Sequence, residues 1–213
     1  MNQQEDAMRV RTEEKRDAIV QAASEVFLEH GFEGASMSLI AARVGGSKRT
    51  LYGYFPSKEE LFVAVAMAMA DSYIEPLLVT LEQTDAPPEQ ALLRFGQDIL
   101  AFVCAPESVT VLRTVIGVAG RSDVGALFYR SGPGEGLLRV AHYLQAQMDK
   151  GALRRADATL ASRQLSALLE AETLMPCLFG ALEDPSPEYL REATQRAVAL
   201  FLAGYGCKTG ATA

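Results

Sequence analysis

Cysteine and histidine are scarce in this chain of 213 residues. The three cysteines, Cys104, Cys177 and Cys207, share no metal-ligand spacing, and their odd number suits no closed set of disulfides. The two histidines, His30 and His142, lie far apart, leaving little basis for a zinc or iron site. No metal or cofactor is expected. Basic charge is not in excess either: 20 Lys+Arg against 27 Asp+Glu give a formal net charge of −7. That balance excludes a protein that coats nucleic acid through its overall charge. The first residues, MNQQEDAMRVRTEEKRD, lack the apolar core of a signal peptide. No uninterrupted apolar run reaches the roughly 18 residues of a membrane span, and the richest, residues 61–70, is too short. Nucleophile signatures of the Gly-x-Ser-x-Gly kind are absent. The Gly132–Gly136 stretch lacks the preceding strand and the Gly-Lys-Ser/Thr ending of a phosphate loop. These absences lead to a soluble, cytoplasmic protein that is neither membrane-bound nor an enzyme.

What is present is helical periodicity almost throughout, in a chain that is 49% hydrophobic. Ile19, Ala22, Ala23, Val26 and Phe27 recur at helical spacing and predict a helix over about 12–30, stopped by Gly31. Ser36 is placed to cap a short helix through Arg43, Gly45-Gly46 breaks the chain, and Ser47 caps the next short helix through Tyr54. Pro56 ends that helix, and Ser57 with Glu60 opens a long one as a capping box. Further helices are predicted at 57–82, 87–104, 106–120, 123–149 with a break near 131–136, 157–181 and 187–205. No stretch alternates with period two between turn signals, so no strands are expected. The predicted fold is all-α with about nine helices: a three-helix domain over 1–56, a helical bundle over 57–207 and a disordered tail at 208–213.

Between Ser36 and Lys58 stand four bases, Arg43, Lys48, Arg49 and Lys58, and no acid. This local island coincides with a helix, a tight glycine turn and a second short helix, the pattern of a helix-turn-helix that seats its second helix in the major groove. Leu51 and Phe55, four apart, face inward and leave Lys48, Arg49 and Thr50 at the exposed start. Tyr52 and Tyr54 offer hydroxyls, and Lys58 follows in the first turn of the next helix, placed for a phosphate contact. Arg43 is the member of the island most easily spent on an acidic neighbour.

The run Ile19, Ala22-Ala23, Phe27, His30-Gly31-Phe32, Ala35-Ser36-Met37, Ile40-Ala41, Gly45-Gly46-Ser47-Lys48, Thr50-Leu51-Tyr52, Tyr54-Phe55 and Ser57 through Leu61 resembles the N-terminal signature of tetracycline-repressor-type (TetR-family) regulators. The resemblance implies a homodimer on a near-palindromic double-stranded DNA operator, usually a repressor, released by a small ligand in the C-terminal domain. It puts phosphate contacts at Met37, Tyr52, Tyr54 and Lys58, and base-proximal positions at Ser38, Lys48, Arg49 and Gly53. Gly53 departs from the family, which commonly carries a larger side chain there. The candidate DNA-contacting set is therefore Ser36, Ser38, Ser47, Lys48, Arg49, Thr50, Tyr52, Gly53, Tyr54 and Lys58.

Residues from Leu92 through Leu153 loosely resemble one subgroup of TetR C-terminal domains, the AefR-like ones. The expected ligand lining is Met67, Phe95, Phe102, Leu112, Arg113, Ile116, Phe128 and Tyr143, around a cavity of at least about 300 Å³. Such a lining suits a small hydrophobic or aromatic effector. The same side chains would equally pack a solid core. Arg113, on an apolar helix, needs a partner, which is Glu170, Glu172 or an acidic ligand, with a structural ion pair the favoured reading; Arg113 or His142 is the expected orienting polar group of the lining. Dimerisation is expected through helices 157–181 and 187–205, where Leu190, Ala193, Ala197, Leu200, Phe201 and Gly204 share a helical face. Two alternatives are a helical ligand-binding or adaptor protein without DNA binding and, with the titratable residues too sparse to favour it, an enzyme.

Overall fold

A computed structural model describes residues 3–120 and 123–207; the predicted tail at 208–213 lies outside the described residues. The fold is all-α. Eleven helices are present among the described residues: α1 (Gln3–Gly34), α2 (Met37–Val44), α3 (Lys48–Tyr54), α4 (Lys58–Gln83), α5 (Pro88–Val103), α6 (Pro106–Ala119), α7 (Val124–Ser131), α8 (Pro133–Asp149), α9 (Ala158–Glu170), α10 (Leu174–Leu178) and α11 (Pro187–Tyr205). Outside them, among the described residues, Leu153 and Gly206 form an antiparallel bridge.

The count exceeds nine because two of the predicted helices are each divided. The break in 123–149 is confined to Gly132 (φ −119°, ψ −93°), and Gly136 lies inside α8. The break in 157–181 has a chemical cause at Pro176. Proline has no N–H to donate to the Glu172 carbonyl one turn back, and the Tyr189 hydroxyl donates to that carbonyl instead, at 2.9 Å. Thr173, fully buried, turns the chain there and donates its hydroxyl to the Leu169 carbonyl at 3.2 Å. At the other end, α1 starts well before residue 12. Gly31 interrupts it as expected: its φ of 68° and ψ of 175° are not helical, and the chain re-enters helical form only as far as Gly34.

By contacts the chain forms two units: residues up to Ala70 together with Val118–Phe128, and Asp71–Gly117 together with the residues from Tyr129 onward. The first is organised by α1, α2 and α3 around Ile19, Ala23, Val26, Ile40 and Leu51, all at most 2% exposed. Phe62, at the start of α4, meets Phe27 edge-on at 5.1 Å and Phe32 at 4.9 Å. In the second unit α11 packs on α5 and α9, and α8 on α9, around Leu92, Leu100, Leu144, Leu165 and Phe201.

By length and composition alone, α4 is apolar enough to cross a membrane, with a mean hydropathy of 1.5 over its richest window. Attention to uninterrupted runs alone misses this. Some of its apolar side chains are buried, Leu61, Phe62, Val63, Val65 and Ala66 in the first unit and Leu78 and Leu81 in the second, while Met69 and Tyr73 between them are exposed. On its outer side Glu75 and Glu82 both bind the Arg139 guanidinium of α8, at 2.7 and 2.6 Å.

Candidate nucleic-acid interface

The recognition region is built by three serine caps. Ser36 Oγ accepts from the Leu39 amide at 3.2 Å and starts α2. Gly45, left-handed at φ 71°, closes α2 by donating to the carbonyls of Ala41 and Ala42. Ser47 Oγ accepts from the Thr50 amide at 3.1 Å and starts α3, its oxygen also lying 2.9 Å from the Thr50 hydroxyl. Ser57 Oγ accepts from the Glu60 amide at 3.1 Å at the head of α4. Each cap satisfies one of the orphan amides that a helix start leaves.

Burial orients α3. Leu51 and Phe55 are buried at 2% and 4% exposure, so the opposite face carries Lys48, Arg49 and Tyr52 into solvent. Ser38, Ser47 and Gly53 are also exposed, while Thr50 and Tyr54 are half-buried. A side-chain carbon built on Gly53 would meet nothing within 4 Å, so the packing does not demand glycine there.

The basic island divides in two. The Arg43 guanidinium grips Glu29 with two hydrogen bonds of 2.6 and 3.0 Å and reaches Glu25 at 3.2 Å. This holds the Glu29 carboxyl below the usual carboxylate range and raises the Arg43 pKa, chiefly through those hydrogen bonds. Lys58 is engaged as well: its ammonium donates to the carbonyls of Phe32 (2.8 Å) and Ala35 (3.3 Å) and lies 4.2 Å from the centre of the Phe32 ring. The structure therefore makes Lys58 a strut between the end of α1 and the start of α4, with most of its donors spent inside the protein. The side chains of Lys48 and Arg49 have no ion pair or hydrogen bond among the described residues.

Lys15 was missed by motif reading. It is exposed on α1 and shares a small cleft with Gly46, Ser47 and Thr50 at the start of α3. The available signal is that Lys15 precedes the fully buried Ile19 by one helical turn, which sets both on the same side of α1. Arg16, next to it, covers the Phe55 ring at 5.2 Å.

The eight expected ligand contacts scatter. Met67 and Phe128, both half-buried, belong to the first unit, and the other six to the second. Phe95 and Tyr143 are buried in the apolar cluster of that unit. Phe102 is half-buried and stacks on Tyr73 with centroids 5.0 Å apart. Leu112 is half-buried, and Ile116 is 61% exposed. Arg113 does not pair with Glu170 or Glu172. Its guanidinium binds the carbonyls of Cys177 (2.7 Å) and Leu178 (2.9 Å) at the end of α10, a favourable place for a cation. Glu172 is taken by Arg196 and Glu170 by Ser166.

Two clefts are open on the described residues, and of the eight expected ligand contacts they take in only Phe95. The larger, about 210 Å³, is an open groove between the later turns of α4 and the start of α5, with Leu77, Leu81, Ala91 and Phe95 as apolar lining and Thr80, Thr84, Gln90, Arg94 and Asp98 as polar lining. Among the described residues no three His, Cys, Asp or Glu side chains converge on a place that could hold a metal ion.

The helical face expected to join two chains is also largely spent within one. Leu190, Ala193, Ala197 and Phe201 are at most 6% exposed and belong to the core of the second unit. Leu200, 61% exposed, lies on the outer side of α11 with Ala199, Ala203 and Gly204; Leu160 on α9 is 50% exposed.

An all-α chain with a capped helix-turn-helix at one end has the architecture of a DNA-binding regulator. Residues 19–65 match the family described as bacterial regulatory proteins, tetR family, and residues 90–207, over half the chain, match the AefR-like transcriptional repressor C-terminal domain. The chain belongs to the TetR family, with an AefR-like C-terminal domain. Over 92% of its length it is similar to the Flavonoid-responsive Regulator FrrA, at 30% identity, 99% coverage of that chain and a TM-score of 0.73. A TetR-family transcriptional regulator from Mesorhizobium loti superposes with a TM-score of 0.79 at 28% identity, over 92% of this chain and 99% of its own. The transcriptional activator FasR of Mycolicibacterium smegmatis is 40% identical over 76 residues, 36% of this chain and 35% of FasR. The transcriptional repressor NicS of Pseudomonas putida is 36% identical over 104 residues, 46% of this chain and 47% of NicS. The chain thus spans about a third to a half of the length of these curated relatives.

Proposed function

We propose that the protein is a ligand-responsive transcriptional repressor that binds a palindromic operator as a homodimer. Residues 1–56 read the DNA, and residues 57–207 sense the ligand and dimerise. The observation that carries this reading is α3: Lys48, Arg49 and Tyr52 stand unburied on one side while Leu51 and Phe55 anchor the other. Arg49 suits a bidentate contact to guanine in the major groove. Lys48 and Lys15 suit phosphates, and Lys58 supports the domain from within. Repression follows the AefR-like repressor domain; activation, as the name of FasR indicates for that protein, is the other outcome of a reporter assay. FrrA is named for its response to flavonoids, and the apolar second unit supports a mostly apolar, aromatic effector here too.

The Arg49→Ala variant tests the reading at its centre. It should lose about 1–3 kcal/mol of operator affinity and relax base preference at one or two positions. Lys48→Ala should weaken binding to all sequences alike and flatten the salt dependence by about one unit. Gel-shift titrations across a salt series check both, and unchanged behaviour in both variants would remove α3 from the groove.

A further inference from the structure

Among the described residues, one buried side-chain polar atom has no hydrogen-bond partner: the Tyr143 hydroxyl on α8. The residue is 3% exposed and sits in an apolar cluster with Leu78, Leu81, Ala91, Phe95, Leu100 and Leu144. Buried hydroxyls are nearly always paired, and an orphan in a low-dielectric interior is costly. Three members of the cluster, Leu81, Ala91 and Phe95, also line the open groove between α4 and α5. Leu81, Ala91 and Phe95 thus belong both to the cluster that holds Tyr143 and to the wall of the groove, while Tyr143 itself is not part of that wall. The other buried hydroxyls of the second unit have partners: Ser162, Thr173 and Thr194 each donate to a backbone carbonyl of their own helix or turn.

We infer that the effector enters from the α4–α5 groove and presents a neutral oxygen acceptor, a ketone, ester or ether oxygen, to the Tyr143 hydroxyl at the buried end of an otherwise apolar site. The inference rests on the proposed ligand-sensing role of the C-terminal domain and narrows its chemistry. Burial pushes the Tyr143 phenol up to about 12, so it remains neutral at physiological pH and acts as an O–H donor. A carboxylate at that depth would be desolvated, and the Tyr143 phenol feels burial alone, with no charged group acting on it. An uncharged acceptor gains the hydrogen bond without that penalty. A purely hydrocarbon ligand would leave the hydroxyl as orphaned as before.

A matched pair of probes separates the possibilities: flavone, which carries a ring ketone, and 2-phenylnaphthalene, a hydrocarbon of closely similar shape. Calorimetric titration of each into the full-length wild-type protein and Tyr143→Phe should show wild type preferring flavone by roughly tenfold, the size of one hydrogen bond in an apolar site. Tyr143→Phe should bind the two probes alike, with the hydrocarbon affinity unchanged, and should melt no lower than wild type because the deleted hydroxyl has no partner to lose. Retention of the preference in Tyr143→Phe overturns the inference. So does a melting point lower by more than about 3 °C, which would mean that the hydroxyl is already bonded in the free protein, to water or to protein. Equal binding of both probes by wild type overturns it while leaving an aromatic effector in place. Binding of neither probe overturns the aromatic-effector reading itself, and this inference with it.

Discussion

Leu200→Asp is expected to turn the proposed dimer into a monomer of 23.0 kDa and to lower operator affinity at least about a hundredfold. Leu200 is 61% exposed on the outer side of α11, beside Ala199 and Ala203. A large apolar side chain flanked by small ones lets a second helix approach closely. In a two-fold dimer the same patch meets itself, so one substitution places two carboxylates against each other in a desolvated seam. Like charges so placed are strongly repulsive. Each monomer would still fold, because Leu190, Ala193, Ala197 and Phe201 face inward and are untouched. The loss of affinity comes from geometry alone: two linked reading heads gain two to four orders of magnitude over one when both half-sites are engaged. Sedimentation gives the mass and a gel shift on a palindromic site gives the affinity. A dimer of unchanged stability would move the interface away from α11.

Gly96→Val is expected to destabilise the protein by about 1–3 kcal/mol, a drop of roughly 3–10 °C in melting temperature for a chain of this size. Gly96 lies on α5 where α11 and α9 press in. Even a methyl carbon there would come within 2.7 Å of Thr194 Cγ2 and 2.9 Å of Leu169 Cδ2. Thr194 is fully buried and its hydroxyl donates to the Leu190 carbonyl at 2.8 Å, and Leu169 is 4% exposed. Neither neighbour can withdraw without disturbing the packing of α5 on α11. Thermal melts followed by circular dichroism check the result; an unchanged midpoint would mean that this three-helix contact repacks freely.

The helix-turn-helix was legible because its signals are local. Ser36, Ser47 and Ser57 cap the helices they were placed to cap, and the apolar spacing of Ile19 through Phe27 found the buried face of α1. Gly45 stands at the left-handed close that glycine favours. The same locality hides the partners that folding supplies, although the acidic neighbour of Arg43 is as expected. Arg43 and Lys58 look alike as bases in an acid-free stretch, yet their partners, Glu25 and Glu29 for one and the Phe32 and Ala35 carbonyls for the other, come from earlier in the chain and meet them only after folding. Periodicity says that one face of α11 is buried and not what buries it, so Leu190, Ala193, Ala197 and Phe201 were read as an intermolecular seam when they face α5 and α9. The division of 157–181 was available in advance from Pro176. The Arg113 clasp was not, since its acceptors are backbone carbonyls some 65 positions away that no side-chain pattern reports.

Selection of bound duplexes from a random DNA pool, using the wild-type full-length chain at near-physiological salt, tests the DNA-reading role most directly. The expected product is a single palindromic consensus with half-sites about one helical turn apart, whose affinity falls steeply as salt rises. Recovery of no consensus, with binding to random duplex equal to binding to the enriched pool, would contradict it.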